Sequence, residues 1–271
     1  MLSTPLSSPS CRIAWHRIMT FDFQQAMPYL ANTLYGNLRR DAGPDWDAYV
    51  EHPFVRAIAN GTLEREEFLA WMVQDYLYVI HYTRAYALLI VKSATTEEMR
   101  SASEIVHGLL TSEMSLHRRQ LTEAGLSEAE IEATPETLET LAYSRYILDR
   151  GQAGDVLDLT VTLSACLAGY GEIGLRLLQD PATRLDGNPY REWIETYGGN
   201  DYHVLIREGL KRLETLSATY GGAARYPMLL KQFREAVRLE AAFWNAGRSA
   251  LIAKRMTEGL AGMDDSQRVT F

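Results

Sequence analysis

The run from Glu64 to Ser93 contains neither glycine nor proline, and Phe68, Met72, Tyr76, Val79 and Leu88 recur along it at helical spacing. An uninterrupted stretch of that length is a helix, because a strand would have turned well before its end. The rest of the chain is punctuated in the same way. Phe21 to Arg40 reads as one helix closed by Gly43-Pro44, and Pro53 suits the first turn of a helix that Gly61 ends. Glu97 to Ala124 ends at Gly125, and Ser127 with Glu130 spells a capping box. A helix from Thr134-Pro135 ends near Gly151, Asp155 caps a long apolar helix to Leu178, and Asn188-Pro189 opens a short one. Asp201 to Tyr220 and Ala224 to Gly259 complete the set. No segment alternates with period two between turn signals. The expectation is an all-α bundle of about nine to eleven helices with short connections.

Helical patterning from residue 21 to 263 is continuous enough for one domain. Residues 1–20 are rich in serine and proline and carry no acid, so they are expected to be a disordered arm or to precede a true start at Met19. Residues 264–271 are expected to fray. The most apolar stretch, Val73 to Val91, contains Asp75, His81 and Arg84, which marks a buried helix rather than a membrane span.

A net charge of -8 gives no basic face for phosphate, so neither nucleic acid nor an anionic membrane is an expected partner. Two distant cysteines, Cys11 and Cys166, make neither a disulfide framework nor a thiolate metal site. With no secretory signal, a reducing cytoplasmic setting is expected.

Chemistry has to come from polar groups that interrupt apolar faces. Asp75 and Tyr78 share a face of the longest helix, where a carboxylate must be paired or must hold a ligand. Pairing with a core tyrosine or with Arg84 is one reading, and ligand binding is the other. Cys166, Tyr170 and Gly174 form a stripe in a helix that also carries Gly169 and Gly171, and so many glycines imply close approach of another helix or of a ligand. The cysteine is a small core hydrophobe or a nucleophile. Glu240 lies among Phe243 and Trp244, either as an acid of raised pKa or as an exposed partner of Arg238 or Arg248. Glu104, His107, Glu113 and His117 hint at a carboxylate-bridged metal site, but their spacing is irregular and a solvated helix face is the simpler reading.

Taken together, these segments resemble the TenA/thiaminase II family. The matching pieces are His52-Pro53-Phe54-Val55, Gln74-Asp75-Tyr76-Leu77-Tyr78, Glu113-Met114-Ser115-Leu116-His117 and Ala142-Tyr143-Ser144-Arg145-Tyr146. Ala165-Cys166 with Tyr170 to Gly174, Trp193 to Gly199, and Glu240 with Phe243-Trp244 follow in order. The resemblance implies a heme-oxygenase-like helical fold without heme, cofactor or metal, assembled as a homotetramer. It implies hydrolysis of the C–N bond between an aminomethyl-pyrimidine and its leaving amine, in thiamin salvage. It places the nucleophile at Cys166, a pyrimidine-binding aspartate at Asp75 and a ring-stacking aromatic at Tyr78. The acid/base glutamate falls on Glu240 with its tyrosine partner at Tyr143. Tyr197, and less closely Tyr170, match substrate contacts. Ala165 departs from the proline common before the cysteine. On this reading Asp75 protonates the ring, Cys166 adds to it and Glu240 protonates the amine. Cys166 is about three turns into its helix, where the dipole does little for a thiolate, so its proton is expected to leave only when substrate binds. Two other readings stay open: a heme-oxygenase-like metal or quinone-precursor oxidase, and a non-catalytic regulator.

Overall fold

The structure is a computed structural model that describes residues 23–261, so the expectations for residues 1–20 and 264–271 lie outside the described residues. Every regular element among the described residues is helical. Fourteen are α-helices, more than the nine to eleven expected, because three predicted helices are interrupted.

The first interruption divides Phe21–Arg40. Pro28 opens a 3-10 turn over Pro28–Leu30 after the short α1 (Phe23–Ala26), and Thr33 then caps α2 (Leu34–Ala42) by accepting from the Gly36 amide at 3.0 Å. The second divides Glu97–Ala124 into α6 (Thr96–Gly108), a π turn (Leu109–Glu113) and α7 (Met114–Glu123). The third divides Ala224–Gly259 into α13 (Gly222–Phe243) and α14 (Ala246–Ala261). Trp244 at that break is 1% exposed and donates from its indole nitrogen to the Tyr49 carbonyl at 3.1 Å. Gly247 then lets α14 lie against α5, since a Cβ there would meet the Glu67 carbonyl at 2.4 Å.

The other elements follow the expected punctuation. They are α3 (Pro44–Val50), α4 (Pro53–Asn60), α5 (Arg65–Lys92), α8 (Glu128–Ala133), α9 (Leu138–Ala153), α10 (Val156–Gln179), α11 (Arg191–Gly198) and α12 (Asn200–Thr219). Gly61 closes α4 at φ +67, and both Ser127–Glu130 and Asp155–Asp158 form capping boxes.

Helix α10 runs through the middle, with α5, α9, α11, α12 and α13 packed around it. By length and composition it passes for a membrane span, but 83% of its apolar window is buried inside the bundle. Two of its glycines set the packing distance. A Cβ on Gly174 would fall 2.2 Å from the Gly198 amide of α11, and one on Gly169 would fall 2.3 Å from the Tyr49 ring. Below these, the fully buried Glu172 accepts from Arg39 and Arg176, each at 2.7 Å, and from the Trp46 indole at 3.2 Å. That satisfied carboxylate ties α2 and α3 to α10 and leaves no oxygen idle for chemistry.

Candidate active site

Cys166 lies midway along α10, between two turns whose carbonyls are held by tyrosines. The Tyr82 hydroxyl donates to the Leu163 carbonyl and the Tyr202 hydroxyl to the Leu167 carbonyl, both at 3.1 Å. The cysteine is half-buried, and so are Glu113 and Tyr202. Burial is nonetheless the main force on the titration of all three groups. Surface kept by groups set so deep is that of a recess, between α5, α10, α12 and the π turn.

Across the recess stands Glu240 of α13, 1% exposed, which accepts from the Tyr143 hydroxyl at 2.7 Å. It is therefore not an exposed partner of Arg238 or Arg248. Burial, reinforced by Asp75, lifts the Glu240 carboxyl to about 8, against the pull of Tyr143, Cys166 and Tyr49. Burial also drives the Cys166 thiol well above its ordinary value, with Glu240, Glu113 and Asp75 adding to it and the Tyr78 hydroxyl opposing. A thiol raised in this way keeps its proton, and its distance from the helix start gives it no help in losing it.

Asp75 of α5 is paired neither with a core tyrosine nor with Arg84, whose guanidinium instead meets His81 at 3.1 Å. Its partner is His117, whose Nε2 lies 2.7 Å from Oδ2, with both side chains buried. The other ring nitrogen of His117, Nδ1, faces the Glu113 carbonyl at 2.8 Å. Both neighbours are acceptors, so both nitrogens donate and the ring is an imidazolium. Burial pulls that imidazole down, but Asp75 and Glu113 outweigh burial and hold it at about 9.

This corrects the reading of Glu104, His107, Glu113 and His117 as one solvated face. Glu104 and His107 are exposed, whereas His117 is buried and Glu113 reaches the recess. The four do not converge, and no group of three or more metal-ligating side chains occurs among the described residues.

Tyr78 stacks on Tyr143, with centroids 4.7 Å apart and planes 18° apart, so one face of its ring is already covered. Tyr170 and Tyr197 meet at 5.0 Å on the opposite wall, and Tyr197 meets Tyr202 at the same distance. The sequence reading singled out Tyr78, Tyr143, Tyr170 and Tyr197 but passed over Tyr82, Tyr86 and Tyr202. The first two were within reach, because Tyr78, Tyr82 and Tyr86 recur every fourth residue and form one stripe on α5, with centroid steps of 5.5 and 5.1 Å. Tyr202 is brought in from α12, and no spacing signals it. A separate open cleft of about 520 Å³, bordered by Leu34, Arg40, Glu214 and Tyr226, holds none of these groups.

The bundle and its recess define a class before they define a family. A domain of unknown function with a heme oxygenase-like fold from Shewanella denitrificans superposes with a TM-score of 0.63 over 87% of this chain and 98% of that one. At 14% identity the likeness speaks to fold alone, and the fold is heme-oxygenase-like. Residues 39–250 match the TENA/THI-4/PQQC family, and the chain belongs to it. A protein described as a TenA family transcription regulator from Silicibacter is 40% identical, with a TM-score of 0.75 over 82% of this chain and 98% of its own. An aminopyrimidine aminohydrolase of Halalkalibacterium halodurans is 38% identical over 62% of this chain and 75% of its own length.

Proposed function

We propose that this protein is an aminopyrimidine aminohydrolase of the thiaminase II type. It exchanges the amine of an aminomethyl-pyrimidine for a hydroxyl, consuming water and releasing the amine, in thiamin salvage. The observation that carries the reading is the Cys166 thiol in a tyrosine-walled recess, with Glu240, Glu113 and Asp75 near enough to act on it.

An aminopyrimidine is flat with a polar rim, and the recess offers rings for its faces and Asp75 for its rim. Cys166 adds to the ring as a thiolate, its proton passing to a nearby carboxylate when substrate binds. Glu240 protonates the departing amine, water then adds to the exocyclic carbon that lost it and leaves its other proton on Glu240, and the ring C–S bond breaks as the sulfur regains its proton. Tyr143 orients Glu240, Tyr78 offers the substrate an aromatic ring, and Tyr170 with Tyr197 closes the far wall. A cytoplasmic homotetramer built from one helical domain per chain, with no nucleic acid, membrane or metal partner, completes the proposal. The regulator described in Silicibacter suggests a binding role instead, but a binding scaffold has no need of a thiol beside acids.

Turnover of amino-aminomethyl-methylpyrimidine tests the proposal. Cys166→Ser should abolish it nearly completely, and Glu240→Gln should slow it on the order of 100-fold or more. Wild-type rates in Cys166→Ser would remove the covalent route.

A further inference from the structure

The ring nitrogen of a bound aminopyrimidine needs a proton if the ring is to accept a thiolate, and the sequence alone points to Asp75 as its source. The structure makes Asp75 a poor source, because its Oδ2 already accepts from an imidazolium at 2.7 Å and a carboxylate so paired has no proton to give. His117 is no better placed, since both its N–H groups are committed, to Asp75 and to the Glu113 carbonyl. Glu240 is held by Tyr143 on another helix.

One acid remains. Glu113 is the last residue of the π turn, a five-residue turn in which the Met114 amide bonds back to the Leu109 carbonyl. Such turns are frequent at functional sites. A single imidazole bridges the Glu113 backbone to the Asp75 carboxylate, which places the Glu113 backbone one ring's width from Asp75. No side-chain hydrogen bond to Glu113 is found among the described residues, and its half-buried side chain keeps surface in the recess.

We propose that Glu113 is a further catalytic residue, the acid that hands its proton to the pyrimidine ring and takes it back when product leaves. The proton moves from the carboxyl oxygen to the ring nitrogen, leaving a Glu113 carboxylate against a ring cation, with no change in net charge and no other reactant. Asp75 then stabilises the cation from the rim, and Cys166 adds to a ring that has become electrophilic. Burial, reinforced by Asp75 and opposed by His117, keeps the Glu113 carboxyl at about 7, so it holds much of its proton near neutrality. The groups that act on it or face it across the recess are His117 of α7, Asp75 and Tyr86 of α5, Cys166 of α10, Tyr197 of α11 and Tyr202 of α12. Of these, His117 also holds a proton beside Asp75, but both of its N–H groups are already committed.

The inference rests on the aminohydrolase reading, and the experiment separates the two. Hydroxymethyl-aminopyrimidine labelled with ¹⁵N in the ring is bound to wild type and to Glu113→Gln, and the nitrogen shifts are followed with pH. In wild type the bound ring should show the shift of a protonated nitrogen above the pH at which the free ring has lost its proton. In Glu113→Gln it should bind as the neutral ring, and kcat should fall on the order of 100-fold with KM changed far less. A neutral ring in wild type, or a protonated ring in Glu113→Gln, overturns the role of Glu113 while leaving the hydrolase intact. Failure of wild type to bind or turn over any aminopyrimidine overturns both. If the variant is unstable, a neutral ring in wild type still overturns the role.

Discussion

The Tyr143 hydroxyl donates to Glu240 Oε1 across 2.7 Å, linking α9 to α13 beside Cys166. This bond favours the ionised carboxyl and so works against the burial that lifts Glu240 to about 8. An acid that must be protonated loses activity as pH rises through its pKa, so kcat/KM should show an alkaline limb at about 8. Tyr143→Phe removes the opposing bond, and the limb should move to higher pH. Glu240→Gln should erase it. A pH–rate profile checks both, and a limb that stays put in Tyr143→Phe would dissociate the tyrosine from the acid.

The Asp75–His117 pair should make stability depend on pH. The imidazole titrates at about 9 in the folded protein against 6.5 for the ordinary group, so the contribution is whole below 6.5 and is lost as pH climbs through 9. His117→Ala strands a buried carboxylate and should cost about 3–5 kcal/mol in urea unfolding at slightly acid pH. The gap between wild type and variant should narrow in alkaline buffer. A gap independent of pH would mean that the ring acts through packing alone.

A buried thiol ringed by acids is a slow nucleophile. In a Cys11→Ser background, iodoacetamide should label Cys166 far more slowly at neutral pH than an exposed thiol, with the rate still climbing in alkaline buffer. Asp75→Asn removes one of the charges that raise this thiol and should speed labelling at a given pH. Rapid labelling of the free protein at neutral pH would contradict the protonated resting state.

Gly174 permits α10 to touch α11. Alanine there would place a Cβ 2.2 Å from the Gly198 amide, a backbone atom that cannot swing aside. Gly174→Ala should lower stability by about 1–3 kcal/mol or more, visible as a drop in melting temperature. It should also loosen the Tyr170–Tyr197 wall, whose two members belong to these helices. An unchanged melting temperature would show that the helices part freely.

Much of this was legible in the chain because helices are local. The glycine- and proline-free run predicted α5 over Glu64–Ser93, and Arg65–Lys92 is helical. Asp155 and Ser127 cap the helices they were assigned, since a cap reads only its own first turn. The three breaks were missed for different reasons. Pro28 was overlooked, although it carried the signal. The π turn at Leu109–Glu113 has no composition of its own, and the break at Trp244 is fixed by where its indole must pack, against Tyr49 and Trp71.

Sequence by itself determined the helical class, the helix ends outside the three breaks, and the candidates Cys166, Asp75, Tyr143 and Glu240, because these follow from neighbours a few residues apart and from family motifs. Tertiary structure alone decided what each candidate faces. It gave Asp75 to His117 rather than Arg84, turned Glu113 into the recess while Glu104 and His107 faced solvent, and buried Glu240 away from Arg238 and Arg248. Burial and charge partners depend on which helices lie side by side, and those contacts join residues as far as 42 and 97 positions apart, which local spacing does not encode.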